Sequence, residues 1–224
     1  MQDLEIITSA DGSHTIHSSL FGVSYHSLHG SVQESETVFM NAGLDYLMEK
    51  GLSSINIFEM GFGSGLNAIM AYKFCQRHGI SIQYHGIEKF PIDMATVDLL
   101  NYGKVLGFSS VDNSFFKAMH EAESKKLLNN GNFTFKRTLG DVAAENLGGE
   151  YDVVFYDAFA PNSQPELWEE EAMKRMYGIL NGGGVLTSYC AKGVFKRVLK
   201  SVGFMVETLP GPVGKREMTR AVKI

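Results

Sequence analysis

The seven residues Glu59-Met60-Gly61-Phe62-Gly63-Ser64-Gly65 are the first place where residue type and spacing imply a ligand. Glycines at alternate positions let a backbone turn tightly and approach a bound molecule with no Cβ in the way. Leu66 stands where a dinucleotide fingerprint needs its third glycine, so the NAD pattern fails by one position. Glu88 closes a later apolar run, SIQYHGIE, at the distance of one βαβ unit. A carboxylate there can accept both hydroxyls of a ribose. Asp141 follows a third run, FTFKRTL, and suits an adenine amino group or the cap of a helix over VAAENL. Asp157-Ala158-Phe159-Ala160-Pro161 closes a fourth, YDVVFYDAF. A carboxylate in that position can orient an amine and take up its proton, since an alkyl amine is mostly protonated at neutral pH and attacks only when neutral. Phe159 suits stacking on a base or on adenine. The plainer alternatives are a solvated acid at Glu88 and a structured turn at DAFAP.

These residues need a frame that brings them together. From Ser54 the pattern alternates strand and helix: SINIFEM, a helix through Leu66, Ile69, Met70 and Phe74, SIQYHGIE, a helix begun by PIDMATVDLL with Pro91 in its first turn, FTFKRTL and YDVVFYDAF. Next come a helix over PELWEEEAMKRMYGIL, in which Trp168, Ala172, Met176 and Leu180 share a face, the strand GGGVLTSY, and a stripe of Val194, Phe195, Val198, Leu199 and Val202. FMVETL and REMTRAVKI, joined by the short PGPVGK, must pair antiparallel. The expected fold is α/β, the class I methyltransferase Rossmann-like fold: a mostly parallel seven-stranded sheet with a C-terminal antiparallel pair. Residues 1–224 are expected to form one domain, with an N-terminal extension over 1–47 that opens in a β-hairpin at Asp11-Gly12, and a core over 54–224. Residues 101–130 read as a helical insert. Every acid singled out falls at the carboxyl end of a parallel strand, where open α/β sheets bind ligands. The Gly-x-Gly-x-Gly loop with its leading acid then fits S-adenosylmethionine, which has no pyrophosphate.

Composition narrows the setting. The net charge of −5 argues against a general nucleic-acid binder but leaves room for a local basic patch. Lys215-Arg216-Glu217-Met218, with Lys192, Lys196, Arg197 and Lys200, can form a basic rim or a solvated face. Cys75 and Cys190 are far apart and lack metal-ligand spacing, so neither structural zinc nor another metal is expected. No apolar run is long enough for a membrane span, and MQDLEII lacks a signal pattern, so a cytoplasmic protein is expected. His26 and His29 read as polar loop residues, and the methionines as core filler.

FEMGFGSGLN, IEKFP, YDAFAP followed by PELW, and GKREM, in that order, resemble the methyltransferase part of the bifunctional MnmC family and its stand-alone relatives of MnmD type. YHS followed by ESETVF resembles the same family, and the resemblance runs from about Ser24 onward. It implies S-adenosylmethionine-dependent methylation of 5-aminomethyl-2-thiouridine at the tRNA wobble position. It implies cofactor binding by Glu59, Gly61, Gly63, Gly65, Asn67, Glu88, Lys89 and Asp141, with Asp157 as catalytic residue touching the cofactor as well. The substrate side would comprise Tyr25, Phe159, Pro161, Lys192, Lys215 and Arg216. Two departures stand out. Glu36 occupies a position that is usually basic, and no FAD-dependent half follows Ile224, so the aminomethyl intermediate is expected to come from a separate enzyme. Three other readings keep the same residues: a methyltransferase for small-molecule amines, a polyamine synthase-like aminopropyltransferase, whose GGGxG loop this sequence departs from, and a non-catalytic ligand-binding module, which would not need Asp157.

Overall fold

The computed structural model describes residues 4–224, so the first three residues of MQDLEII lie outside it. The extension opens with β1 (Leu4–Thr8), β2 (His14–Ser18) and β3 (Val23–Ser24), an antiparallel sheet in the order β1-β2-β3. The expected hairpin is therefore present and carries a third short strand. Asp11 closes its turn by accepting from Ser9 Oγ, Ser13 Oγ and the Ser13 amide. A helical stretch follows: α1 (Ser31–Ser35), a π-helical segment (Glu36–Asp45) and α2 (Tyr46–Glu49). Its Val38, Phe39 and Leu44 are fully buried, and the Phe39 ring lies 5.1 Å from that of Phe155. The extension thus shares its core with the sheet.

That sheet comprises β4 (Ser54–Met60), β5 (Ser81–Glu88), β6 (Leu127–Asn130), β7 (Phe133–Leu139), β8 (Tyr151–Tyr156), β9 (Leu180–Ser188), β10 (Phe204–Pro210) and β11 (Glu217–Lys223), in the order β10-β11-β9-β8-β4-β5-β7-β6. The β9-β8-β4-β5-β7 portion is parallel, and β10 and β11 are antiparallel, as the PGPVGK connection requires. The eighth strand was not foreseen: β6 ends the 101–130 insert and turns back antiparallel onto β7. Successive β4 side chains go to opposite faces. Ile55 and Ile57 join Tyr84, Phe133 and Phe155 on one side, whereas Phe58 and Met60 join Val154, Tyr156 and Leu186 on the other. Each such fully buried side chain contributes about 1.5–3 kcal/mol from removal of its apolar surface from water.

The helices are α3 (Leu66–His78), α4 (Met94–Leu99), α5 (Tyr102–Val105), α6 (Ser110–Glu121), α7 (Glu170–Ile179) and α8 (Gly193–Val202). Four local expectations need correction. The helix after β5 starts later than Pro91, because the Asp93 carboxylate accepts from the Thr96 amide and sets the N-terminus there. PELW forms a separate 3₁₀ turn (Pro165–Trp168), and Leu180 belongs to β9, where it pairs with Tyr151 rather than sharing a helix face. VAAENL makes only one turn, ended where Gly148 takes φ +72° and donates to Asn146 Oδ1. Val194, placed on the apolar stripe of α8, is 63% exposed. Among the described residues no helix is long and apolar enough to cross a membrane.

Candidate active site

The carboxyl ends of β4, β5, β7 and β8 are stitched together by backbone bonds. Gly61 and Phe62 amides donate to the Ile87 carbonyl, Gly140 to Glu88, and Asp157 to Met60. Above them lies a cleft of about 360 Å³. Of the residues singled out in the sequence, Tyr25, Gly61, Gly63, Glu88, Lys89, Asp141, Asp157 and Phe159 line it.

Gly61, Gly63 and Gly65 all have positive φ, at +87°, +51° and +74°. A Cβ at Gly61 would meet the Asp157 carbonyl at 3.2 Å, and one at Gly63 the Tyr25 ring at 3.1 Å. Gly65 differs. Its missing Cβ makes room for His120 Nε2 (2.7 Å) and the Phe116 ring (3.2 Å) of α6, so it seats the insert against the loop rather than facing the cleft. His120 Nε2 lies 3.2 Å from the Ser64 carbonyl, and burial pulls this imidazole down to about 3, so it is neutral and donates there.

Glu88 accepts the Gly63 amide on Oε2 and the Phe90 amide on Oε1, both at 2.7 Å. Burial pushes its carboxyl up, while those amides and Arg137 act against the shift. A carboxylate so held at the cleft wall keeps lone pairs for two vicinal hydroxyls. Asp141 accepts Lys89 Nζ at 2.8 Å and the Ala143 amide at 2.9 Å, which hold it below its ordinary value. Ile87, Val142, Leu167 and Met176 form an apolar wall beside it. An acid for a ribose, an apolar wall for a purine and a glycine turn that lets a ligand approach the backbone at a strand end together fit an adenosine-bearing ligand of this volume.

The Asp157 side chain is buried, 6% exposed. Asn67 Nδ2 donates to Asp157 Oδ2 at 2.8 Å and to Glu59 Oε1 at 3.0 Å, bridging the two acids. Glu59 and Asn67 are therefore buried behind the cleft rather than exposed in it. Burial pushes the Glu59 carboxyl well up and raises Asp157 to about 7, the latter helped by nearby Glu34. The loop after Asp157 is held by Trp168 Nε1 donating to the Phe159 carbonyl and Tyr189 Oη to the Ala158 carbonyl, each within 2.9 Å. That bond explains why DAFAP and PELW occur together. The Phe159 ring packs on Phe21 (4.6 Å) and Tyr25 (5.1 Å), so the extension supplies aromatic walls.

Two readings from the sequence fail here. Lys215 does not belong to an open rim: Nζ sits 2.5 Å from Glu34 Oε2 and 3.9 Å from the centre of the Tyr189 ring. Glu34 is 4% exposed, and a buried acid there requires a partner. His26 does lie in a loop, between β3 and α1, but not a solvated one: it is buried and lines the cleft. Pro161, Lys192 and Arg216 do not line the cleft, though Lys192 reaches Asn162 in the DAFAP loop at 2.9 Å. Phe21, Phe90 and Arg175 line it without having been foreseen. Only Glu34 left a sequence signal: it precedes Val38 and Ala42 at helical spacing, an acid on the buried face.

A strand-end glycine loop, a ribose acid and a buried acid beside an aromatic wall define a nucleoside-dependent group transferase on a Rossmann-like sheet. A family model described as S-adenosyl-L-methionine-dependent methyltransferase matches residues 109–224, and the chain belongs to that family. The bifunctional protein MnmC of tRNA 5-methylaminomethyl-2-thiouridine biosynthesis from Pseudomonas fluorescens (strain Pf0-1) is 29% identical over 171 residues, covering 73% of this chain and 26% of that protein. The protein of the same name from Ralstonia nicotianae is 28% identical over 205 residues, covering 88% and 31%. The chain thus spans less than a third of the length of these relatives. The crystal structure of MNMC2 from Aquifex aeolicus superposes with a TM-score of 0.79 at 24% identity, covering 99% of this chain and 70% of that one. SAM-bound CalS10, an amino pentose methyltransferase from Micromonospora echinaspora, gives 0.52 at 13% identity, covering 92% and 94%. These likenesses establish the class I methyltransferase fold and the resemblance to the MnmC methyltransferase part.

Proposed function

We propose that this enzyme methylates the aminomethyl nitrogen of 5-aminomethyl-2-thiouridine at the tRNA wobble position, giving 5-methylaminomethyl-2-thiouridine. The observation that carries the reading is the buried Asp157 carboxylate at the end of β8, in the same cleft as Glu88 and beside the Phe159 and Tyr25 rings. S-adenosylmethionine supplies a methyl group made electrophilic by its sulfonium. Gly61, Gly63, Glu88 and Asp141 hold the adenosine side. Glu59, Asn67 and Gly65 act one layer back, and Lys89 neutralises Asp141. Asp157 orients the substrate amine and accepts its proton; raised to about 7, it is a stronger base than an ordinary carboxylate. Tyr25 and Phe159 offer ring faces to the base, while Pro161, Lys192 and Arg216 lie outward toward the rest of the RNA. The names of the relatives support tRNA as substrate. The aminomethyl intermediate would be supplied by a preceding step.

The test is transfer of labelled methyl from S-adenosylmethionine to tRNA from cells lacking this modification, in parallel with free amines. Label in 5-methylaminomethyl-2-thiouridine after nucleoside digestion supports the assignment. Label in free amines alone overturns it in favour of a small-molecule methyltransferase.

A further inference from the structure

His26 has no part in the chemistry above, yet its surroundings are built around it. Its backbone amide donates to Thr15 Oγ1 of β2 at 3.0 Å, which fixes the loop. On one side of the ring, Nε2 lies 3.2 Å from Ser64 Oγ in the glycine loop, and Ser64 Oγ accepts the Tyr102 hydroxyl at 2.9 Å. On the other side, Nδ1 is buried without a hydrogen-bond partner, 3.7 Å from Asp157 Oδ2.

Proton bookkeeping gives this arrangement a direction. Tyr102 donates its proton to Ser64, which leaves the Ser64 hydroxyl proton free to turn toward its other neighbour, His26 Nε2. An imidazole that accepts at Nε2 and is neutral carries its proton on Nδ1. Burial keeps His26 neutral by lowering it to about 4, with Glu34 pulling it up and Lys215 down. The other ionisable groups around Asp157 do not replace this donor. Lys215 is paired with Glu34, and the two act on Asp157 in opposite senses without a hydrogen bond to it; Glu59 is itself an acid pushed well up by burial, and Tyr84, Tyr102 and Tyr189 are kept in their neutral form.

We propose that His26 is a positioning residue for methyl transfer: its Nδ1–H is aimed at Asp157 Oδ2 by the Tyr102–Ser64 chain, and it holds that carboxylate aligned and ionised for the amine. Asn67 donates to the same oxygen, so the pair leave Oδ1 for the substrate. The inference rests on the role assigned to Asp157 but not on the identity of the amine.

Two measurements on the full chain test it. The first needs no substrate: ¹⁵N-histidine NMR should show His26 as the Nδ1–H tautomer across neutral pH. Its shifts should follow the ionisation of Asp157, and that response should vanish in Asp157→Asn. An Nε2–H tautomer, or shifts indifferent to Asp157→Asn, overturns the proposal. The second compares two amides with whichever amine the wild type methylates. Asn in place of His26 puts its NH₂ near the Nδ1 position, whereas Gln puts it near Nε2. His26→Gln should lose about 10- to 100-fold in kcat/KM for the amine. Its acid limb should move up by roughly one pH unit, because the carboxylate has lost a donor. The KM for S-adenosylmethionine should hold, and His26→Asn should recover most of the loss. A wild-type pH profile in His26→Gln overturns the proposal even if tRNA is confirmed as substrate; rejection of tRNA leaves both measurements standing.

Discussion

The two halves of the cleft are built differently. The nucleoside half, comprising the glycine loop, Glu88 and Asp141, comes from three adjacent parallel strands and uses backbone amides a few residues from each strand end. The acceptor half collects His26 and Glu34 from the extension, Asp157 from β8 and Lys215 from the β10–β11 loop. In the first half the fold itself generates the site. In the second, long-range side-chain pairs must create it, and each leaves a buried ionisable group that depends on another.

Asp157→Asn breaks the acceptor half most deeply. The side chain keeps its size but loses its charge and basicity, and kcat should fall by roughly 10²-fold or more while S-adenosylmethionine affinity changes little. Steady-state kinetics with parallel calorimetry reads both, and wild-type turnover would make Asp157 structural. The same variant should be more stable at alkaline pH. Because Asp157 is raised to about 7, the folded state holds a proton that the unfolded chain has released. The stability linked to that proton is complete below about pH 4 and is lost as pH rises through about 7. Thermal melts should therefore show Asp157→Asn ahead of wild type near pH 8 and level with it near pH 4.

Gly63→Val tests the other half. Valine would have to adopt φ +51° and push its Cβ against the Tyr25 ring, and the Gly63 amide would leave Glu88. With strain of about 1–3 kcal/mol at the residue itself, cofactor affinity should drop by at least about tenfold. Calorimetry that finds normal affinity in the folded variant would remove the glycine loop from the binding site.

Lysines that looked alike in sequence should separate. Lys215→Met strands the buried Glu34 carboxylate, and since Lys215 is partly exposed the cost should be about 1–3 kcal/mol, visible in urea melts. Lys192→Ala with Arg216→Ala should leave stability unchanged and weaken tRNA binding only modestly, with a shallower slope against log salt. An unchanged slope would remove these two residues from the RNA contact.

The lining of the cleft is legible in the sequence where a strand announces itself and ends in an acid. Glu59, Glu88, Asp141 and Asp157 each close a run or follow one directly, and all but Glu59 line the cleft. Burial that arises from distant partners is not legible there. His26 sits among serines, with nothing local to show that β2, Ser64 and Asp157 would enclose it. Lys215 stands in a stretch that reads as a solvated basic rim, and its acid lies 181 residues away. Strand β6, LLNN, is too short and too polar to be recognised before β7 gives it an edge to pair with.

The place of β11 has a consequence for how the protein is made. This last strand lies between β9 and β10, and the loop before it carries the lysine for Glu34. On a ribosome adding about 5–20 residues per second, the 181 residues between the two take roughly 10–40 s to synthesise. The nucleoside half is complete in the nascent chain once Asp141 has been added, whereas the acceptor half cannot close until Lys215 follows. The acceptor half therefore matures after the nucleoside half, and a chain stalled before Glu217 would expose the open flank of β9 to other strands.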